Sequence, residues 1–143
     1  MSFLNAFNIS GSALTAQRMR MDVISQNLAN ANTTRTESGD PYRRQMAVLS
    51  EKKASFSSYL NSAMGVTGGG VVVSSIETDQ SDFKIEYDPD NPDADENGYV
   101  RYPNVDEVTE LVDMMAATRA YEANVTALNS MKGMMLKALE IGK

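Results

Sequence analysis

Leu111-Val112-Asp113-Met114-Met115-Ala116-Ala117-Thr118-Arg119-Ala120-Tyr121-Glu122-Ala123-Asn124-Val125-Thr126-Ala127-Leu128 decides the fold. Within this stretch and just beyond it, Leu111, Met114, Thr118, Tyr121, Val125, Leu128, Lys132, Met135 and Leu139 alternate in steps of three and four, tracing one seam along a helix. A matching seam lies at the amino end, where Phe7, Leu14, Met21 and Leu28 recur every seven residues beside a companion row of Phe3, Ser10, Gln17, Ile24 and Ala31. A heptad seam buries little until another helix covers it. The pattern therefore predicts a mainly α chain whose long N- and C-terminal helices pair as an antiparallel coiled coil, around a small β-containing middle region. The expected divisions are an N-terminal helix with its closing motif over 1–35, a middle region over 36–104 and a C-terminal helix over 105–143.

The first helix is expected from Phe3 or Ser10 to Ala31, and the last from Asn104 or Asp106 to a stop at Gly142. Asp106, Glu107, Glu110 and Asp113 near the start of that last helix, and Lys132 and Lys137 near its end, follow the helix dipole. Between the helices, Met46, Ala47, Val48 and Leu49 read as a short strand, and 50–70 as a mobile Ser/Gly-rich loop ending in Gly68-Gly69-Gly70. The β-branched run Val71-Val72-Val73-Ser74-Ser75-Ile76 and the alternating Phe83, Ile85 and Tyr87 read as two strands paired with each other. Residues 88–104 hold Pro89, Pro92 and Pro103 among Asp and Asn, which bars a helix there.

Composition removes most chemistry. Thirteen Lys and Arg against nineteen Asp and Glu leave a net charge of −6, with no basic stretch to track a phosphate backbone, so nucleic acid is not an expected partner. No run approaches the roughly 18 apolar residues that read as a membrane span. The amino terminus has its first cation at Arg18 and no continuous apolar core, so no Sec signal peptide is expected. The chain has neither Cys nor His. Common zinc sites, disulfides, and Ser/His or Cys/His nucleophilic sets therefore have nothing to be built from. No cofactor, metal or catalytic residue is expected.

Four local features carry competing readings. Asp93-Ala94-Asp95-Glu96-Asn97-Gly98-Tyr99-Val100 places Asp93, Asp95 and Asn97 at ligand positions of a calcium loop with Gly98 at the turn. Yet Asn104 stands where a bidentate Glu belongs, and Asp, Asn and Gly close tight turns without any ion. A calcium-responsive adaptor using the 93–104 loop is the second function this sequence offers. A hydrolase using paired carboxylates is a third and weakest, since no motif fixes such a pair. Met114, Met115, Met131, Met134 and Met135 suit either a helix with several non-equivalent neighbours or an ordinary core. Arg119, Glu122 and Asn124 surround Tyr121 on the seam, either as an ion pair on a wet face or as a polar key that fixes helix register.

Three stretches together resemble one family, the bacterial flagellar rod proteins. Ser25-Gln26-Asn27-Leu28-Ala29-Asn30-Ala31-Asn32-Thr33 is similar to the motif that closes the first helix of rod and hook proteins, through Asn27, Asn30 and Thr33. Arg119-Ala120-Tyr121-Glu122-Ala123-Asn124 resembles the motif of their last helix, and the stretch from Tyr87 through Gly98-Tyr99-Val100 to Val105 resembles the C-type proximal-rod branch. Here Gly39-Asp40-Pro41-Tyr42 stands well after Thr33, where many relatives place Gly-Tyr at once. The resemblance implies a structural subunit of a tubular rod in the basal body, crossing the cell envelope and carrying torque. It also implies export through the flagellar type III apparatus without a cleaved signal, and packing against copies of itself and other rod proteins. Expected interface positions are Phe7, Leu14, Met21, Leu28, Leu111, Met114, Tyr121, Val125, Leu128 and Met135.

Overall fold

The computed structural model describes residues 3–52 and 69–141. In chain order the elements are α1 (Phe3–Ala29), β1 (Gln45–Glu51), β2 (Val71–Thr78), β3 (Lys84–Tyr87), β4 (Tyr99–Tyr102) and α2 (Glu107–Ile141). The two terminal helices are those expected, of 27 and 35 residues. The 50–70 loop falls, over 53–68, outside the described residues, as does the stop at Gly142.

Each helix boundary has a local cause. α1 ends where the Asn30 amide bonds back to the Gln26 and Asn27 carbonyls and the Asn30 side chain also bonds the Gln26 carbonyl, at 2.9 Å. α2 opens on Asp106, whose carboxylate accepts the Thr109 amide at 2.8 Å, the arrangement of an N-cap that satisfies a helix donor otherwise without a partner. Glu107 and Glu110 in the first turn add the sign of charge that the positive helix end favours.

α1 and α2 pack side by side. Followed along α2, Glu110 bonds Asn27, Asp113 bonds Arg20 and Thr118 meets Met21, so the start of α2 lies against the later half of α1. The buried apolar side chains of the two helices are small or branched, Ala16, Val23 and Ile24 on α1 and Ala117 on α2. The companion row supplies the buried residues Ile24 on α1 and Ala31 just after it, while Leu14, Met21 and Leu28 are half-buried and Phe7 is exposed.

The strands form two separate antiparallel hairpins, which corrects the expected pairing of 71–76 with 83–87. β1 pairs with β2, with an irregularity at Val48/Leu49, and β3 pairs with β4. The β1–β2 hairpin lies along α1. One end is held at Asn27, which bonds the Gln45 backbone, and the other at Ser12, whose hydroxyl accepts the Val71 amide at 3.0 Å. The lengths agree: fifteen helical residues rise about 22 Å and six strand residues about 20 Å. The fit is closest at Gly70, where φ is +143° and an added Cβ would stand 2.8 Å from Ser12 Oγ.

Candidate functional site

Where α1, α2 and β1 meet, the buried contact is polar. Asn27 and Glu110 are 1 % and 0 % exposed, and they meet directly, Asn27 Nδ2 donating to Glu110 Oε2 at 3.0 Å. The same Asn27 amide donates to the Gln45 carbonyl at 2.8 Å, while its Oδ1 accepts the Gln45 amide at 2.9 Å and the Tyr42 hydroxyl at 3.0 Å. One side chain thus uses both donors and both lone pairs, the full capacity of a carboxamide. Toward Gln45 it behaves as the peptide group of an adjoining strand would.

Glu110 passes the connection on. Its Oε1 accepts Arg44 Nε at 2.6 Å, and the Arg44 guanidinium reaches Asp113 at 3.6 Å and Asp79 at 3.8 Å. Asp113 also takes Arg20 at 3.1 Å, so α1, the start of β1 and α2 share one charged network. Asn104 closes its outer side, accepting the Arg44 amide at 2.8 Å and donating to Ser81 and to the Asp79 carbonyl. Buried ion pairs gain little net energy over apolar packing, but breaking one leaves a stranded charge. The junction therefore fixes which residues of the two helices and the hairpin lie together. Burial raises the Tyr42 phenol above its usual range, with the Glu110 charge adding to the effect, so Tyr42 stays a donor to Asn27. Bonds from Ser81, first its backbone amide, hold the Asp79 carboxyl below the usual range. The Thr109 amide does the same to Asp106.

The loop after α1 closes on itself. The Tyr42 amide bonds the Thr33 carbonyl at 3.1 Å, so residues 34–41 form an excursion whose ends meet, tightened by Gly39 at φ +87° and by Thr36 bonds to the Asp40 carbonyl. Tyr42 is thereby set beside Thr33 despite the residues between them. Of the motif residues, Asn27 anchors the junction, while Asn30 and Thr33 bond each other at the end of α1.

The acidic stretch between β3 and β4 uses its oxygen atoms internally. Asp95 Oδ1 accepts the Asn97 and Tyr99 amides at 2.8 and 2.9 Å, and Gly98 takes φ +80° beneath the Tyr87 ring. Asp93 accepts the Thr34 hydroxyl at 2.7 Å and faces Arg35. Among the described residues no group of three or more acidic side chains is gathered as an ion would require. The geometry is that of a turn docked on the 34–41 excursion, and it offers nothing in favour of the calcium reading.

The expected interface residues on α2 differ in burial. Met114, Tyr121, Val125 and Leu128 are half-buried, whereas Leu111 is 52 % and Met135 38 % exposed. Arg119 and Glu122 are exposed and form no ion pair with the described residues, and Asn124 bonds the carbonyl of Ala120 on its own helix. The residues that sequence reasoning missed are Glu110, Arg44 and Tyr42.

Comparison with known proteins follows the same two ends. Residues 7–35 match the family model described as flagella basal body rod protein, and residues 96–141 match the C-terminal model of flagellar basal body rod FlgEFG proteins. The flagellar basal-body rod protein FlgC of Bacillus subtilis is 57% identical over all of both chains. That of Escherichia coli O6:H1 is 46% identical, also over all of both, and that of Borreliella burgdorferi 46% identical over 99% of this chain and 98% of its own. Among the described residues, no helix is long and apolar enough to cross a membrane.

Proposed function

Because the chain belongs to the FlgC family of flagellar basal-body rod proteins, we propose that its polar junction holds two terminal helices and a hairpin as one stiff unit for building a rod. The protein is a structural subunit of that rod and not an enzyme, and it assembles with other flagellar rod components. In the proposed arrangement α1 and α2 form an antiparallel coiled coil within each subunit, and Leu14, Met21, Leu28, Met114, Tyr121, Val125 and Leu128 line its edges. Phe7, Leu111 and Met135 then face other subunits, whether copies of this chain or other rod proteins. The middle region, 36–104, decorates the helical pair and touches adjacent layers. The subunit is exported through the type III apparatus without a cleaved signal peptide, and the rod crosses the envelope and transmits torque.

The observation that carries this reading is the contrast between the fully bonded Asn27–Glu110 contact inside the subunit and the apolar rows left outside it. A buried polar lock fixes register, and exposed helical rows supply adhesion between subunits. Electron microscopy of basal bodies from a strain lacking the gene should show membrane rings without a complete rod, in non-motile cells. Intact rods and normal swimming would overturn the proposal.

A further inference from the structure

The rod reading leaves open which surface of one subunit meets which surface of the next, and on that reading two exposed patches of α2 form a pair. The first is the row Val108, Leu111, Val112 and Met115, which are 72, 52, 55 and 53 % exposed. Val108 precedes the buried Ala117 by nine residues, or two and a half helical turns, so this row lies on the side of α2 facing away from α1. The second patch is the end of α2. Met135 and Leu139 continue the Leu128 row in steps of seven and four, so they stand on the side that α1 covers further back. The contacts Glu110 to Asn27, Asp113 to Arg20 and Thr118 to Met21 set the offset between the helices, and by that offset Phe3 lies opposite α2 between about residues 130 and 136. Beyond it the inward row runs on without α1, and Leu139 and Leu136 are 66 and 53 % exposed.

We infer that the end of α2 in one copy of this chain docks on the outward Val108–Met115 row of a second copy. Continuity is the first argument, since the terminal patch is an established helix–helix seam that outruns its partner and needs another apolar helical row. Charge is the second. Asp106 and Glu107 stand exposed at the start of this row with no cation in 105–116, Glu110 and Asp113 being turned to Asn27, Arg44 and Arg20, whereas 129–141 carries Lys132 and Lys137 against Glu140 alone. Pairing the outward row with itself would set Asp106 and Glu107 against their own copies, and pairing the terminal patch with itself would do the same for the lysines. The contact between unlike patches is heterologous, so a docked pair keeps one patch of each kind open, as a growing rod requires.

The absence of Cys from the chain makes the test direct. Cells are made to express two versions of the chain together, one with Leu111→Cys and the other with Leu139→Cys, and isolated basal bodies are treated with a short bismaleimide. A chain with both Met21→Cys and Thr118→Cys, whose side chains touch at 3.6 Å, reports that the reagent works. Cross-linked dimers only when both versions are present support the inference. Dimers from either version alone, or none while the 21/118 control reacts, overturn it without touching the rod assignment, which is judged separately by finding the chain in the basal bodies. If either version fails to incorporate, Val112→Cys with Leu136→Cys tests the same docking under the same two outcomes.

Discussion

Replacing Asn27 with Ala removes the one side chain that touches α2, β1 and Tyr42 at once. Four bonds are lost: two with the Gln45 backbone, one with the Tyr42 hydroxyl and one with the Glu110 carboxylate. Neutral hydrogen bonds contribute about 1 kcal/mol each and one to a charged group about 2 kcal/mol, so the loss sums to about 5 kcal/mol. The new space is small and polar, and a water entering it would recover part, leaving about 3 to 5 kcal/mol. Set against a total stability of about 5–15 kcal/mol for a domain, this is a large fraction. Thermal unfolding of the purified chain, followed by circular dichroism at the helical band, should fall by about 10–20 °C. Adding Glu110→Ala to this background should cost less than Glu110→Ala does alone, because the shared bond is already gone. A loss below about 1 kcal/mol, or strict additivity of the two substitutions, would refute the claim that the junction fixes the helix register.

Leu128→Asp places an unpaired charge on the seam between the helices and should abolish rod assembly, and normal rods from that variant would sink the seam assignment. Gly70→Ala puts a Cβ against Ser12 Oγ in a backbone region L residues rarely enter, which should cost about 1–3 kcal/mol and speed amide exchange of Val71. Asp106 and Asp79 both have carboxyl pKa values lowered by hydrogen bonds in the folded state. Their contribution is therefore fully present above the unfolded carboxylate range and lost as pH falls through the folded values, so Asp106→Asn, which keeps the cap, should flatten the acid side of the stability profile. Proton NMR titration should find both groups below the usual Asp range, and ordinary values would contradict the bonds described.

Both long helices were legible because their periodicity extends over many turns, and their ends could be read from Asn30 and Asp106, residues that bond to helix termini. The seam on α2 was legible as a period but not as an orientation. A row through Leu111 and one through Glu110, Ala117 and Asn124 differ by one residue, and hydrophobicity favours the former. The chain buries the latter near the start of α2 because a small Ala lets the helices approach closely and Glu110 finds Asn27 and Arg44 there. Arg20 and Asn27, seven apart on α1, facing Asp113 and Glu110 on α2, form a charge pattern that a single sequence shows only once the helices are aligned. Strand pairing was misread for a related reason. β1 and β2 are distant in sequence, so adjacency favoured the wrong partner for β2, and β4 lay concealed in residues that resemble the tail of a calcium loop. Its alternation, with Val100 buried between the exposed Tyr99 and Arg101, was the signal for a strand.

The hairpin clamped along α1 has a mechanical meaning. A slender beam fastened at two points to a parallel strut cannot bow without shearing the fastenings, and here the fastenings are the Asn27–Gln45 pair and the Ser12–Val71 bond. Strands resist extension along their axis, so the hairpin acts as a splint over residues 12–27 and leaves Gly11 just outside it. Compliance is thereby displaced to the unsplinted ends of the helical pair.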